Sequence, residues 1–146
     1  MNTFATTHRL GLIGVFAVAV MSLATFPTVA FGEEIEITLN GDQEVPPVKT
    51  AATGSGNITV NSDMSLSGGI TTKGINGTMA HIHQGSAGAN GPVIIPFVKN
   101  GDNGWMVPAG TKMTEAQYQA YKAGQLYVNV HSVENKGGEI RGQLKP

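Results

Sequence analysis

Asn-Gly occurs five times in this chain, at Asn40, Asn76, Asn90, Asn100 and Asn103, and the dipeptide suits tight turns that need positive φ. Turns this frequent leave room only for short elements, and the residues between them alternate as strands do. Ile35, Ile37 and Leu39 interleave with Glu34, Glu36 and Thr38, a strand with one wet face. Ile58 and Val60, then Leu66, Gly68 and Ile70, predict two more strands joined around Asn61-Ser62-Asp63. A further strand is expected at Met79–His83. The apolar run Val93 to Val98 contains Pro96, which suits an edge strand or a bulge. Trp105-Met106-Val107, Leu126 to Val130 and Gly138 to Leu144 complete the series, the last two separated by a turn at Glu134–Gly137.

One helix interrupts the pattern. Thr114-Glu115-Ala116-Gln117 fits a capping box and Gly124 fits a C-terminal stop. Ala116, Ala120, Tyr121 and Ala123 are expected to face the sheet. The total is seven to nine short strands and one short helix, which predicts an all-β Greek-key sandwich, with an open barrel as the alternative.

The N-terminus has a different composition. His8 and Arg9 precede an apolar run from Leu10 to Leu23, and Pro27 breaks it before small residues. Residues 1–32 therefore read as a secretory signal peptide, cut after Ala30 or after Gly32, with residues 33–146 as one domain. That domain holds 114 of the 146 residues, with eight basic and ten acidic side chains and a net charge of −2. It lacks any basic patch, so nucleic acid is not an expected partner. No membrane span is expected after cleavage, and the expected location is secreted or periplasmic. Cysteine is absent, so an exported domain of this kind must be held by its core and offers a metal no thiolate.

Chemistry concentrates on the histidines. Of four, His8 lies in the leader, while His81, His83 and His131 fall in two strand-like segments. Strand alternation puts His81 and His83 on one face, about 7 Å apart by strand rise. Tyr127, Asn129 and His131 share a face opposite that of Val128 and Val130. If the two strands lie close, three imidazoles converge and form a ligand set for copper, or for zinc. Met79 shares the face of His81 and His83, where it can supply a thioether favouring Cu(I) or serve as plain packing. The glycine-rich residues 84–92 lack the Lys-Ser/Thr and following helix of a phosphate loop, and read as a tight loop folding over the His81–His83 strand. Glu44, in the proline-stiffened Glu44–Val48 segment, and Arg141, the one arginine after the leader, are expected to form a buried ion pair. No nucleophile–base spacing is present, so no catalytic residue is assigned. The sequons at Asn57 and Asn76 bear on function only in a eukaryotic secretory pathway.

Several motifs together carry a resemblance. Leu39–Val48, Ala80–Gly85 with Gly88, Asn90–Val93, Leu126–Ser132 and Gly138–Leu144 resemble, in order, the CHRD (chordin) domain family. The resemblance implies an extracellular or envelope β-sandwich module of the kind found in animal chordin and in bacterial exported proteins, without a defined activity. Chordin's growth-factor antagonism belongs to a multidomain protein whose cysteine-rich modules are absent here. A looser likeness is to copper-zinc superoxide dismutase, also a sandwich with a His-x-His strand and a later histidine. There His81, His83 and His131 would match copper positions, but a fourth histidine bridging to zinc, the zinc cluster and the disulfide are missing. The expected function is an exported module binding one metal ion, copper with zinc as the alternative, through His81, His83 and His131. The alternative is a non-catalytic extracellular module whose partner is another envelope or extracellular protein.

Overall fold

The computed structural model describes residue 1 and residues 32–146; the leader expected over residues 1–32 lies almost wholly outside the described residues. Nine strands form one antiparallel sheet: β1 (Glu33–Asn40), β2 (Thr53–Val60), β3 (Leu66–Lys73), β4 (Gly77–Gln84), β5 (Val93–Pro96), β6 (Val98–Asn100), β7 (Gly104–Met106), β8 (Leu126–Ser132) and β9 (Ile140–Leu144). A 3-10 turn at Gly41–Gln43 follows β1, and α1 (Glu115–Lys122) precedes β8. The spatial order is β5-β4-β8-β9-β1-β2-β3-β7-β6.

The two ends of that order, β5 and β6, are consecutive in the chain and separated by Phe97 alone. The sheet is thus brought round on itself by continuous backbone rather than by a ladder, giving a nearly closed barrel-like sheet. Of the two architectures expected, sandwich and open barrel, the single curved sheet corresponds to the second. Pro96 explains the break. It cannot donate to a ladder, so β5 pairs on one side only, with β4, and the chain leaves that pairing just beyond it. Phe97 still donates its N–H to Ala80 O at 2.9 Å. Beyond it Lys99 spans the seam, donating to Gly77 O at 3.1 Å with its ammonium 4.1 Å from the Trp105 ring centroid.

The interior is filled by one face of the longer strands, whereas β6 is exposed along its whole length. Ile35, Ile37 and Leu39 are buried while the intervening Glu34, Glu36 and Thr38 are exposed, as the alternation predicts. Ile58, Ile82, Val128, Val130 and Ile140 belong to the same core. Of the five Asn-Gly glycines Gly101 takes positive φ, at the β6–β7 turn, whereas Gly41, Gly91 and Gly104 sit where a Cβ would strike a backbone carbonyl oxygen. There the glycine serves close approach rather than turn conformation.

In α1 the capping box is complete: Thr114 Oγ1 accepts from Gln117 N, and Gln117 Oε1 accepts from Thr114 N. Gly124 has φ +67° just past the helix. Ala120 and Tyr121 are buried, but Ala116 and Ala123 are exposed, a correction to the expected inner face. The helix seats itself through its tyrosines, with Tyr118 packed against the core and the Tyr121 hydroxyl donating to Glu33 Oε2 at 2.7 Å. Among the described residues no helix is long and apolar enough to cross a membrane.

Candidate metal centre

β8 is buried along its whole length, on both faces. Val128 and Val130 face the core, so Tyr127, Asn129 and His131 are covered from outside, by residues 85–92 and by the turn between β8 and β9. The antiparallel register lays a polar grid across this outer face. On one side Met79 pairs with His131, His81 with Asn129 and His83 with Tyr127. On the other, Asn129 pairs with Arg141 and Tyr127 with Gln143.

This register brings all three histidines together. Ring centroids lie 5.5 Å apart for His81 and His83, 4.8 Å for His81 and His131, and 5.9 Å for His83 and His131. One ligand nitrogen from each falls within 4.8 Å of the others, with His83 and His131 buried and His81 partly exposed. Among the described residues this is the one such grouping of three or more His, Cys, Asp or Glu.

The hydrogen bonds fix which nitrogens are available. His83 Nδ1 lies 2.9 Å from Gly91 O, and His131 Nδ1 lies 2.9 Å from Lys136 O. A carbonyl oxygen only accepts, so each Nδ1 carries a proton, and in the neutral tautomer that this selects Nε2 keeps the lone pair. His131 Nε2 accepts from His81 Nδ1 at 2.9 Å. His83 Nε2 is buried without a hydrogen-bond partner. Burial drives the charge state the same way. Desolvation, with His131 and His83 close by, pushes His81 down to about 4, and desolvation also lowers His83 against the opposing Gly91 hydrogen bond. Both rings are neutral donors near pH 7.

The rest of the grid holds the cover in place. Tyr127 is sandwiched, stacked on His83 (centroids 4.8 Å, planes 11° apart) with the Arg141 guanidinium carbon 3.4 Å from its ring centroid on the other side. Arg141 Nη2 donates to Ser86 O and Ala89 O, both at 3.0 Å, and Tyr127 Oη accepts from Gly91 N at 3.2 Å. Gln143 Nε2 donates to Gly85 O at 2.8 Å. The glycine-rich segment therefore folds over the β4 histidines, held by these side-chain bonds together with that of His83 Nδ1 to Gly91 O.

Glu44 and Arg141 are both buried, at 4 % and 1 % exposure. The direct ion pair expected between them is not formed: among the described residues the pairs within 4 Å are Lys112–Asp63 and Lys122–Glu33. Arg141 spends its donors on the loop carbonyls, because β9 places it beneath that loop. Glu44 reaches instead to Gly138 and Asn129, where a Cβ on Gly138 would strike its Oε1. Its Oε1 has no hydrogen-bond partner, and burial raises its pKa more than Arg141 and Asn129 lower it. Met79, read as thioether or packing, is 49 % exposed. Tyr127 and Asn129 were visible in the same alternation as His131, but the carbonyls of Gly91 and Lys136 leave no signature in a sequence.

A nearly closed antiparallel sheet carrying three converging imidazoles under a tethered loop defines a small all-β module with a candidate metal centre. The chain belongs to the CHRD domain family, whose family model matches residues 35–144. Membership points to an extracellular or secreted module. No curated protein and no solved structure matches the chain.

Proposed function

We propose that this module binds one metal ion, copper with zinc as the alternative, through His81, His83 and His131, and holds or hands on that ion in the cell envelope or outside the cell. The observation that carries the reading is His83: its Nδ1–H is committed to Gly91 O, and its buried Nε2 has no partner in the cluster. A buried acceptor without a donor costs about 1–3 kcal/mol, a cost that coordination would offset. Metal-ligating histidines almost always donate the other ring N–H to a carbonyl or carboxylate, and His83 and His131 both do so. The donor set fits copper or zinc, all nitrogen with no thiolate. Nitrogens about 2 Å from a shared ion would lie about 3–4 Å apart, so the widest pair of the 4.8 Å cluster would have to close by about 1 Å or more. A bound ion would supply a cationic centre with a position open on the side of His81, the partly exposed member.

The test is elemental analysis of untagged protein purified in air, joined to denaturation with added ion. Cu(II) or Zn(II) at a hundredfold over its dissociation constant is expected to stabilise the protein by about 2.7 kcal/mol. His83→Ala is expected to abolish most of that gain. No metal-dependent shift, or an equal shift in His81→Ala, His83→Ala and His131→Ala, refutes the reading and leaves a non-catalytic extracellular interaction module.

A further inference from the structure

Met79 is the residue of the outer β4 face that three-histidine binding leaves without a role. It is not core: Ala80 and Ile82, on the other face of β4, are at 1 % and 0 % exposure, whereas Met79 is 49 % exposed. The register runs without a shift from Met79 to Gln84, so Met79 shares its face with His81 and His83 and stands directly across from His131. Directly opposed residues of an antiparallel pair have Cβ atoms about 4.5–5.5 Å apart. Methionine is unbranched, with three rotatable bonds, and spans such a gap without backbone movement. His81 and His131, the two rings nearest Met79 by register, already touch at 2.9 Å. His81, the partly exposed member of the cluster, and the half-exposed Met79 are alternate residues on one face of β4.

We propose that Met79 is a fourth, mobile ligand that closes the solvent-facing position with its thioether and makes the centre selective for Cu(I) over Zn(II). This inference rests on the three-histidine reading and deepens it. Three imidazoles accept Cu(II), Cu(I) and Zn(II), and a soft sulfur donor is what tips such a set towards Cu(I). An exposed, flexible thioether engages soft Cu(I) more strongly than borderline Zn(II), so selectivity is obtained without a rigid fourth ligand. Because the side chain is outside the core, its loss leaves the fold in place.

The experiment compares wild type, Met79→Leu and His83→Ala. Cu(I) is titrated anaerobically against bicinchoninate, Cu(II) and Zn(II) are titrated by calorimetry, and the Cu(I)-loaded proteins are measured by copper K-edge absorption. In Met79→Leu the preference for Cu(I) over Zn(II) is expected to fall by at least about tenfold. Wild type is expected to show one sulfur scatterer at about 2.3 Å, absent from Met79→Leu. An unchanged preference, or no sulfur in the wild-type spectrum, overturns the inference. If Cu(II) and Zn(II) bind in a manner that needs His83 while sulfur is absent, the three-histidine centre stands and Met79 alone is excluded. If wild type binds none of the three ions, both readings fall.

Discussion

His81 Nδ1 lies 2.9 Å from His131 Nε2, across fifty residues of chain. Because His131 Nδ1 donates to Lys136 O, the proton between the two rings belongs to His81. The contact therefore requires His131 Nε2 to be unprotonated, whereas His81 can donate whether or not its own Nε2 carries a proton.

A pH dependence of stability follows for the metal-free protein. His81 titrates at about 4 in the fold against its ordinary 6.5, so between these values the unfolded chain binds more protons and each step down in pH favours unfolding. Stability from His81 is present above about 6.5 and is lost as pH falls towards about 4. The measurement is the denaturation midpoint of wild type minus that of His81→Gln from pH 7 to pH 4, after chelation. A difference that does not shrink across this window contradicts the assignment.

Arg141→Lys keeps the charge but loses the flat guanidinium that lies on Tyr127 and the two bonds from Nη2 to Ser86 O and Ala89 O. The expected loss is about 1–3 kcal/mol in denaturant titration. Amide exchange at Ala87 and Gly88 should accelerate as well, since Arg141 ties the loop on both sides of them. A stable variant with unchanged exchange would show that the clamp is dispensable.

Glu44→Gln should behave in the opposite sense. Burial without a partner for Oε1 holds the Glu44 pKa above 4.5, so at neutral pH its ionisation is less favourable in the fold than in the unfolded chain. The variant is expected to be at least as stable as wild type at pH 7, with its advantage fading as pH falls towards 4.5. A marked destabilisation at pH 7 would instead mean that Arg141 needs the carboxylate.

Gly91→Ala joins the loop to the centre. A Cβ there would strike Gln84 O, so the backbone that carries the His83 acceptor must move. Overpacking of this kind costs about 1–3 kcal/mol. The same variant should bind Cu(II) and Zn(II) more weakly, because the His83 ring loses the bond that orients it. Wild-type metal affinity in a folded Gly91→Ala protein would uncouple the cover from the site.

Much of this protein was settled by its sequence, wherever the rule is local. Strand alternation placed Ile35, Ile37 and Leu39 inward and put His81 with His83 on one face, because side-chain direction along a strand depends on parity alone. The Thr114–Gln117 capping box and the Gly124 stop were equally legible, each spanning a few residues. What the tertiary structure decided was adjacency and cover. Pairing β4 with β8 turned two separate histidine segments into one cluster, and packing loops over β8 buried a face that alternation alone would leave wet. The same loops drew Arg141 to backbone carbonyls instead of Glu44, and gave His83 and His131 the acceptors that orient their Nε2 atoms towards the cluster. Backbone carbonyls are identical at every residue, so the order of residues cannot mark which of them will be an acceptor; only the path of the folded chain does that.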